Sequence, residues 1–124
     1  MSVPESMRDR LSLPLVGAPL FIISNPDLVI AQCKAGVVGS FPALNARPVE
    51  VLDQWLTRIN EELEAYNQDN PDEPAAPYAV NQIVHGSNDR LMHDVELCVK
   101  YKARVVITSL GARPEVFEAI HSYG

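Results

Sequence analysis

The sequence has no apolar run approaching the roughly 20 residues that a membrane-spanning helix needs. Its first residues, MSVPESMRDR, are polar and mixed in charge, unlike a secretory signal, so a cytoplasmic chain is expected. Positive charge is scarce: ten Lys and Arg stand against sixteen Asp and Glu, a formal net charge of −6, with no basic cluster along the sequence. Nucleic-acid binding depends on Lys and Arg neutralising phosphates, so this balance argues against it. There are only two cysteines, Cys33 and Cys98, too few for a disulfide framework, and they form no CxxC pair. Both fall on predicted helices, where a free thiol behaves as a small buried hydrophobe. The phosphate-cradling patterns GxGxxG and GxxxxGK[ST] are absent, which excludes nucleotide binding through those motifs. No two of the three histidines have metal-ligand spacing with a third partner, so no metal is expected.

What is present is a chain of 124 residues, 47% hydrophobic and 21% charged, the composition of a folded domain rather than a disordered one. Residues 1–13 lack periodicity and read as an N-terminal arm. Residues 14–124 alternate between two patterns. Pro14 to Ile23 is a nearly continuous apolar run, as in strands buried on both faces of a parallel sheet. Asn25 then offers an N-cap and Pro26 a first helical residue for an apolar helix that Gly36 ends. Val37 to Phe41 reads as a second strand, and Pro48 opens a long helix with Leu52, Trp55, Leu56, Ile59, Leu63 and Tyr66 on one face. The acidic, proline-rich stretch 67–77 is a surface loop. A third strand, Tyr78 to Val84, precedes a helix from Leu91 to Tyr101; a fourth, Arg104 to Leu110, precedes a helix opened by Pro114.

The order βαβαβαβα means a parallel sheet covered by helices. A full (β/α)8 barrel takes about 250 residues, so four units amount to half of one. A fourth strand as apolar as RVVITSL, with no lysine or proline inside it, would be a hazard at a free sheet edge. The expected fold is therefore α/β, a parallel (β/α)4 half of a TIM (β/α)8 barrel, with an open doubly wound sheet as the other architecture.

Function in such folds gathers at the C-terminal ends of strands. The residues there are Ala18-Pro19-Leu20, Ser40-Phe41-Pro42, Asn81-Gln82 with His85, and Thr108-Ser109-Gly111. They supply amides, hydroxyls, backbone and one imidazole, but no carboxylate and no lysine. Such a set can hydrogen-bond a flat heteroaromatic ligand and holds no acid–base pair. Asn81 is an amide inside an apolar strand; it either bonds a neighbouring strand in a barrel interior or meets a bound cofactor. Gln82 points to the opposite face, toward a helix. His85 follows strand three with nothing nearby in sequence to tune it. Gly111 to Glu115 reads either as a tight turn or as backbone N–H groups turned toward an anion.

The stretch PLVGAPLFIISNPDLVIAQCKAGVVGSFPALNAR resembles the opening of the nitronate monooxygenases, formerly grouped as 2-nitropropane dioxygenases. The resemblance rests on Ala18-Pro19, Pro26-Asp27-Leu28-Val29, Ala35-Gly36-Val37-Val38-Gly39, Ala79-Val80-Asn81, and Ser109-Leu110-Gly111 before Pro114. It implies an FMN-dependent (β/α)8 barrel, a flavoprotein oxidoreductase that oxidises alkyl nitronates with dioxygen. It also implies that Val16, Gly17 and Ala18 pass close to the flavin ring, that Asn81 hydrogen-bonds the flavin, and that Ser109 lies near the same site. The family's catalytic histidine and phosphate-binding segments belong to the second half of the barrel, beyond these residues. Two other readings stand beside it: another FMN barrel such as an enoyl reductase, and a non-catalytic half-barrel that pairs with a second copy of itself to close eight strands.

Overall fold

The computed structural model describes residues 3–124. Its elements are a short helix α1 (Glu5–Arg8), α2 (Pro26–Lys34), β1 (Gly39–Pro42), a 3₁₀ turn (Ala43–Asn45), α3 (Val51–Asp69), β2 (Tyr78–Ile83), α4 (Leu91–Lys100), β3 (Val105–Ser109) and α5 (Pro114–His121). The three strands form one parallel sheet in the order β1-β2-β3. Pro42, Asn81 and Ile107 share a row across it.

The fold is thus α/β with a three-stranded parallel sheet, one strand fewer than the four read from the sequence. The missing one is the first. Of Pro14 to Ile23, only Val16 pairs, in a single parallel bridge to Val38. Two backbone bonds hold it there: Gly17 N–H donates to Val38 O at 2.7 Å, and Val38 N–H donates to Leu15 O at 3.0 Å. Beyond them the chain turns, and Leu20, Phe21, Ile22 and Ile23 stand in the open. An apolar run carries no periodicity of its own, so it marks burial against some neighbour without naming a strand. Within the arm, residues 5–8 form one short helical turn with no buried side chain; the first two residues lie outside the described ones.

The helices start and stop for local reasons. Asn25 caps α2, its Oδ1 accepting from Leu28 N–H at 3.1 Å, with Pro26 at the first helical position. Gly36, at φ 89°, follows the helix in the left-handed region that glycine tolerates. Gly39 lets β1 pass close to α2: a Cβ there would lie 2.5 Å from the Val29 carbonyl oxygen. α3 begins at Val51 rather than Pro48 and continues to Asp69, three residues into the expected loop.

One face of the sheet packs under the helices. Phe41 and Val80 meet Val29, Cys33, Leu52, Leu56 and Ile59 in the main core, and Phe41 stands edge-on to Trp55 with centroids 5.7 Å apart. Cys33 and Cys98 are buried free thiols, both pushed up to about 11 by burial, so each stays protonated at neutral pH and packs as a hydrophobe. Burial also raises the phenols of Tyr78 and Tyr123 to about 12. These four groups give stability a defined alkaline limit. Once unfolded, the thiols release protons near their ordinary value of 9.0 and the phenols near 10.0, while the folded chain still holds them. The unfolded state then binds fewer protons, so stability is full below pH 9 and falls as pH rises through about 11 to 12. Urea midpoints should be level between pH 7 and pH 8.5 and lower at pH 11; an unchanged midpoint at pH 11 would contradict the burial of these groups.

Candidate functional site

The C-terminal end of the sheet is built around Asn81. The strand alternation turns its side chain away from the helices, and it is 5% exposed. Its Nδ2 donates to Ile107 O at 2.9 Å and to Ser109 Oγ at 2.8 Å. A backbone carbonyl can only accept, so the amide orientation is set by its partner. Both Nδ2 hydrogens are spent within the protein, which leaves Oδ1 as an acceptor. Ser109 Oγ accepts from Asn81, so its own hydrogen is free to donate. The pair therefore offers one acceptor and one donor side by side at the end of adjacent strands. Asn81 was read from sequence as bonding either a strand or a ligand; its two nitrogen hydrogens do the first, and its oxygen remains for the second.

Val16, Gly17 and Ala18 lie on the far side of β1, so the structure does not bring them into contact with the Asn81–Ser109 pair. Ser40, fully buried on β1, fastens that segment by donating its hydroxyl to Gly17 O. Ala18 is exposed and Val16 about half-exposed. Behind Gly17 lies Gln32, whose Oε1 is buried with no hydrogen-bond partner among the described residues. Gln82 behaves as its parity demands: it is fully buried on the helix side and donates from Nε2 to Cys98 Sγ at 3.2 Å. His85 is exposed, and its Nδ1 accepts from Ser87 N–H at 3.1 Å and pairs with Ser87 Oγ at 2.7 Å. Among the described residues no group of three His, Cys, Asp or Glu could hold a metal ion.

Two features at this end were not read from the sequence. Asp94 is completely buried in α4 and takes a two-pronged bond from Arg90, Nε to Oδ2 at 2.8 Å and Nη2 to Oδ1 at 3.1 Å. His93 Nδ1 adds a contact to Oδ1 at 3.1 Å. The same guanidinium donates to Ala46 O at 2.8 Å and Ala43 O at 3.3 Å, tying α4 to the turn that follows β1. The signal was there: Leu91, Asp94, Val95 and Cys98 fall at i, i+3, i+4 and i+7, so position 94 lies on the inward stripe. The second feature is Asn45. Its Nδ2 donates to Leu20 O and Ser24 O, and its Oδ1 accepts from Ile22 N–H at 3.2 Å. Ile22 sits at φ 67°, a strained setting for a β-branched residue. No spacing in the sequence marks Asn45.

Among the described residues no helix is long and apolar enough to cross a membrane. No protein-family model matches the sequence, and no curated protein matches it. Solved structures do. FabK from Thermotoga maritima matches 97% of this chain at a TM-score of 0.73 and 16% identity, and nitroalkane oxidase from Streptomyces ansochromogenes matches 94% at 0.72 and 18%. This chain spans 35% of the first and 40% of the second. Over nearly its whole length it is therefore similar in fold to a part, well under half, of these two enzymes.

Proposed function

We propose that the chain is part of an FMN-dependent oxidoreductase of the nitronate monooxygenase type, supplying the first units of a (β/α)8 barrel. The observation that carries this is the Asn81–Ser109 pair, placed at the C-terminal ends of adjacent parallel strands in a fold similar to FabK and nitroalkane oxidase. The wider sequence resemblance from Pro14 to Gly124 supports the same reading. So does the outer strand, since every residue of β3 is only half-buried, as expected of a strand with a further neighbour to come.

The donor set fits the flavin. Its pyrimidine edge alternates carbonyls with an N–H, and Asn81 Oδ1 with the Ser109 hydroxyl offers the complementary acceptor and donor. Val16, Gly17 and Ala18 would line the ring from the first unit of the barrel. FMN would supply the exchange of electrons between an alkyl nitronate and dioxygen. The residues of this chain would bind and orient: Asn81 and Ser109 fix the ring's edge, Ser40 holds the Val16–Ala18 segment, and Arg90 with Asp94 steadies the neighbouring loop. The residue that takes a proton from the substrate would lie in the second half of the barrel, as the family resemblance implies.

Visible absorbance after mixing with FMN and removing the excess tests the reading. Flavin bands should persist in a barrel containing these residues, and Asn81→Ala should weaken retention at least tenfold. Equal retention by Asn81→Ala would remove Asn81 from the flavin site. Ser109→Ala deletes the donor and leaves one Asn81 hydrogen unpaired at a cost of about 1–3 kcal/mol, so its thermal midpoint is read beside its flavin retention to separate folding from binding.

A further inference from the structure

The opposite end of the strands carries a cavity of about 240 Å³ that the flavin reading does not use. The arm, the second half of α3, the start of β2 at Tyr78 and the α4–β3 turn enclose it. Arg10, Lys102 and Arg104 line it together with the amides of Asn60 and Asn67 and one carboxylate, Glu64. In a chain of net charge −6 this is an unusual gathering. Among the described residues Arg58, Arg90, Lys100 and Arg113 form ion pairs with carboxylates, and three of the other six Lys and Arg meet at this one cavity. Asn67 adds a neutral donor, since its Oδ1 is occupied by Ala75 N–H at 2.7 Å and its Nδ2 is left over.

Lys102 is held there at a conformational cost. α4 ends with Ala103 N–H donating to Cys98 O at 3.0 Å and Lys102 N–H to Val99 O at 3.1 Å. This double closure places the residue after the cap in the left-handed region, where glycine is the usual occupant. Lys102 occupies it at φ 50°. A glycine would suit the turn better, so the lysine is there for its charge or its stem rather than for the backbone.

We infer that the cavity binds a phosphate group, as the free ion or as part of a small phosphorylated metabolite. Arg104 and Lys102 would neutralise it from the α4–β3 turn, Arg10 from the arm, and the Asn67 amide would complete the hydrogen bonding. Arg104 directly precedes β3 and stands five residues before Ser109, about 16 Å at 3.3 Å per residue, so this site is separate from the proposed flavin site.

Titration calorimetry of the chain with sodium phosphate, at ionic strength held constant with sodium chloride, should show one-to-one binding. Lys102→Gly should weaken it at least tenfold while leaving the thermal midpoint unchanged or raised, a split that a merely structural lysine would not produce. Arg104→Gln should weaken it to a similar extent. Glycerol 3-phosphate, titrated in parallel, identifies the source: tighter binding than phosphate points to a phosphorylated metabolite, and equal binding to the free ion. The absence of both binding heat and a phosphate-dependent rise in thermal midpoint in the unaltered chain would overturn the inference, as would full phosphate affinity in both variants.

Discussion

Asp94→Ala should destabilise the chain by about 3–5 kcal/mol, the range for breaking a buried ion pair from one side. Asp94 has no exposed surface, and Arg90 is 15% exposed at its side chain. Removing the carboxylate leaves a guanidinium that still donates to Ala43 and Ala46 but has lost both bonds to its counter-charge. The loss exceeds that of an exposed pair such as Lys100 with Asp53, where two solvated side chains meet at 2.8 Å and water and salt screen the attraction. Urea unfolding of the two variants side by side checks the contrast. Asp94→Asn keeps the shape and some hydrogen bonding, so it should fall between the unaltered chain and Asp94→Ala. A cost below about 1 kcal/mol for Asp94→Ala would mean that water reaches the guanidinium once the carboxylate is gone.

Phe41→Ala should cost about as much, 3–5 kcal/mol, by a different route. Phe41 has no exposed surface, and its ring packs between the sheet and α3, which carries Leu52, Trp55 and Leu56. Its removal forfeits the transfer free energy of the ring and leaves a void that a packed interior closes only in part. β1 is four residues long and carries Gly39 against the Val29 carbonyl, so the strand has little freedom to move into the gap. Phe41→Leu retains most of the volume and should cost less than half as much. Denaturant midpoints with an unchanged slope would locate the effect in stability; a changed slope would show that compactness had altered as well.

The regular elements were legible because their signals are local. Proline at 26 and 114, Asn25 before one of them, and the inward stripe of α3 each act within a few residues, and the helices formed where those signals stood. The parallel arrangement followed from alternation alone. The first strand failed for the complementary reason. Whether an apolar run becomes a strand depends on a partner on each side, and Pro14 to Ile23 has β1 on one side only. The candidate site was legible in kind but not in geometry. An amide in an apolar strand announces a hydrogen bond, yet only the register of β2 with β3 pairs Asn81 with Ser109 while leaving Val16 to Ala18 apart. Arg90 with Asp94 stood at helical spacing and was open to the same reasoning, whereas Asn45 contacts residues more than twenty positions away that no pattern could supply.

Asn45 also changes how the upper rim of the sheet can move. Through it the segment from Leu20 to Ser24 is bonded to the turn after β1, and through Arg90 that turn is bonded to α4. Two loops and a helix far apart in sequence are thereby joined by side-chain hydrogen bonds. A displacement of α4 that kept these bonds would have to carry the Leu20–Ser24 segment with it.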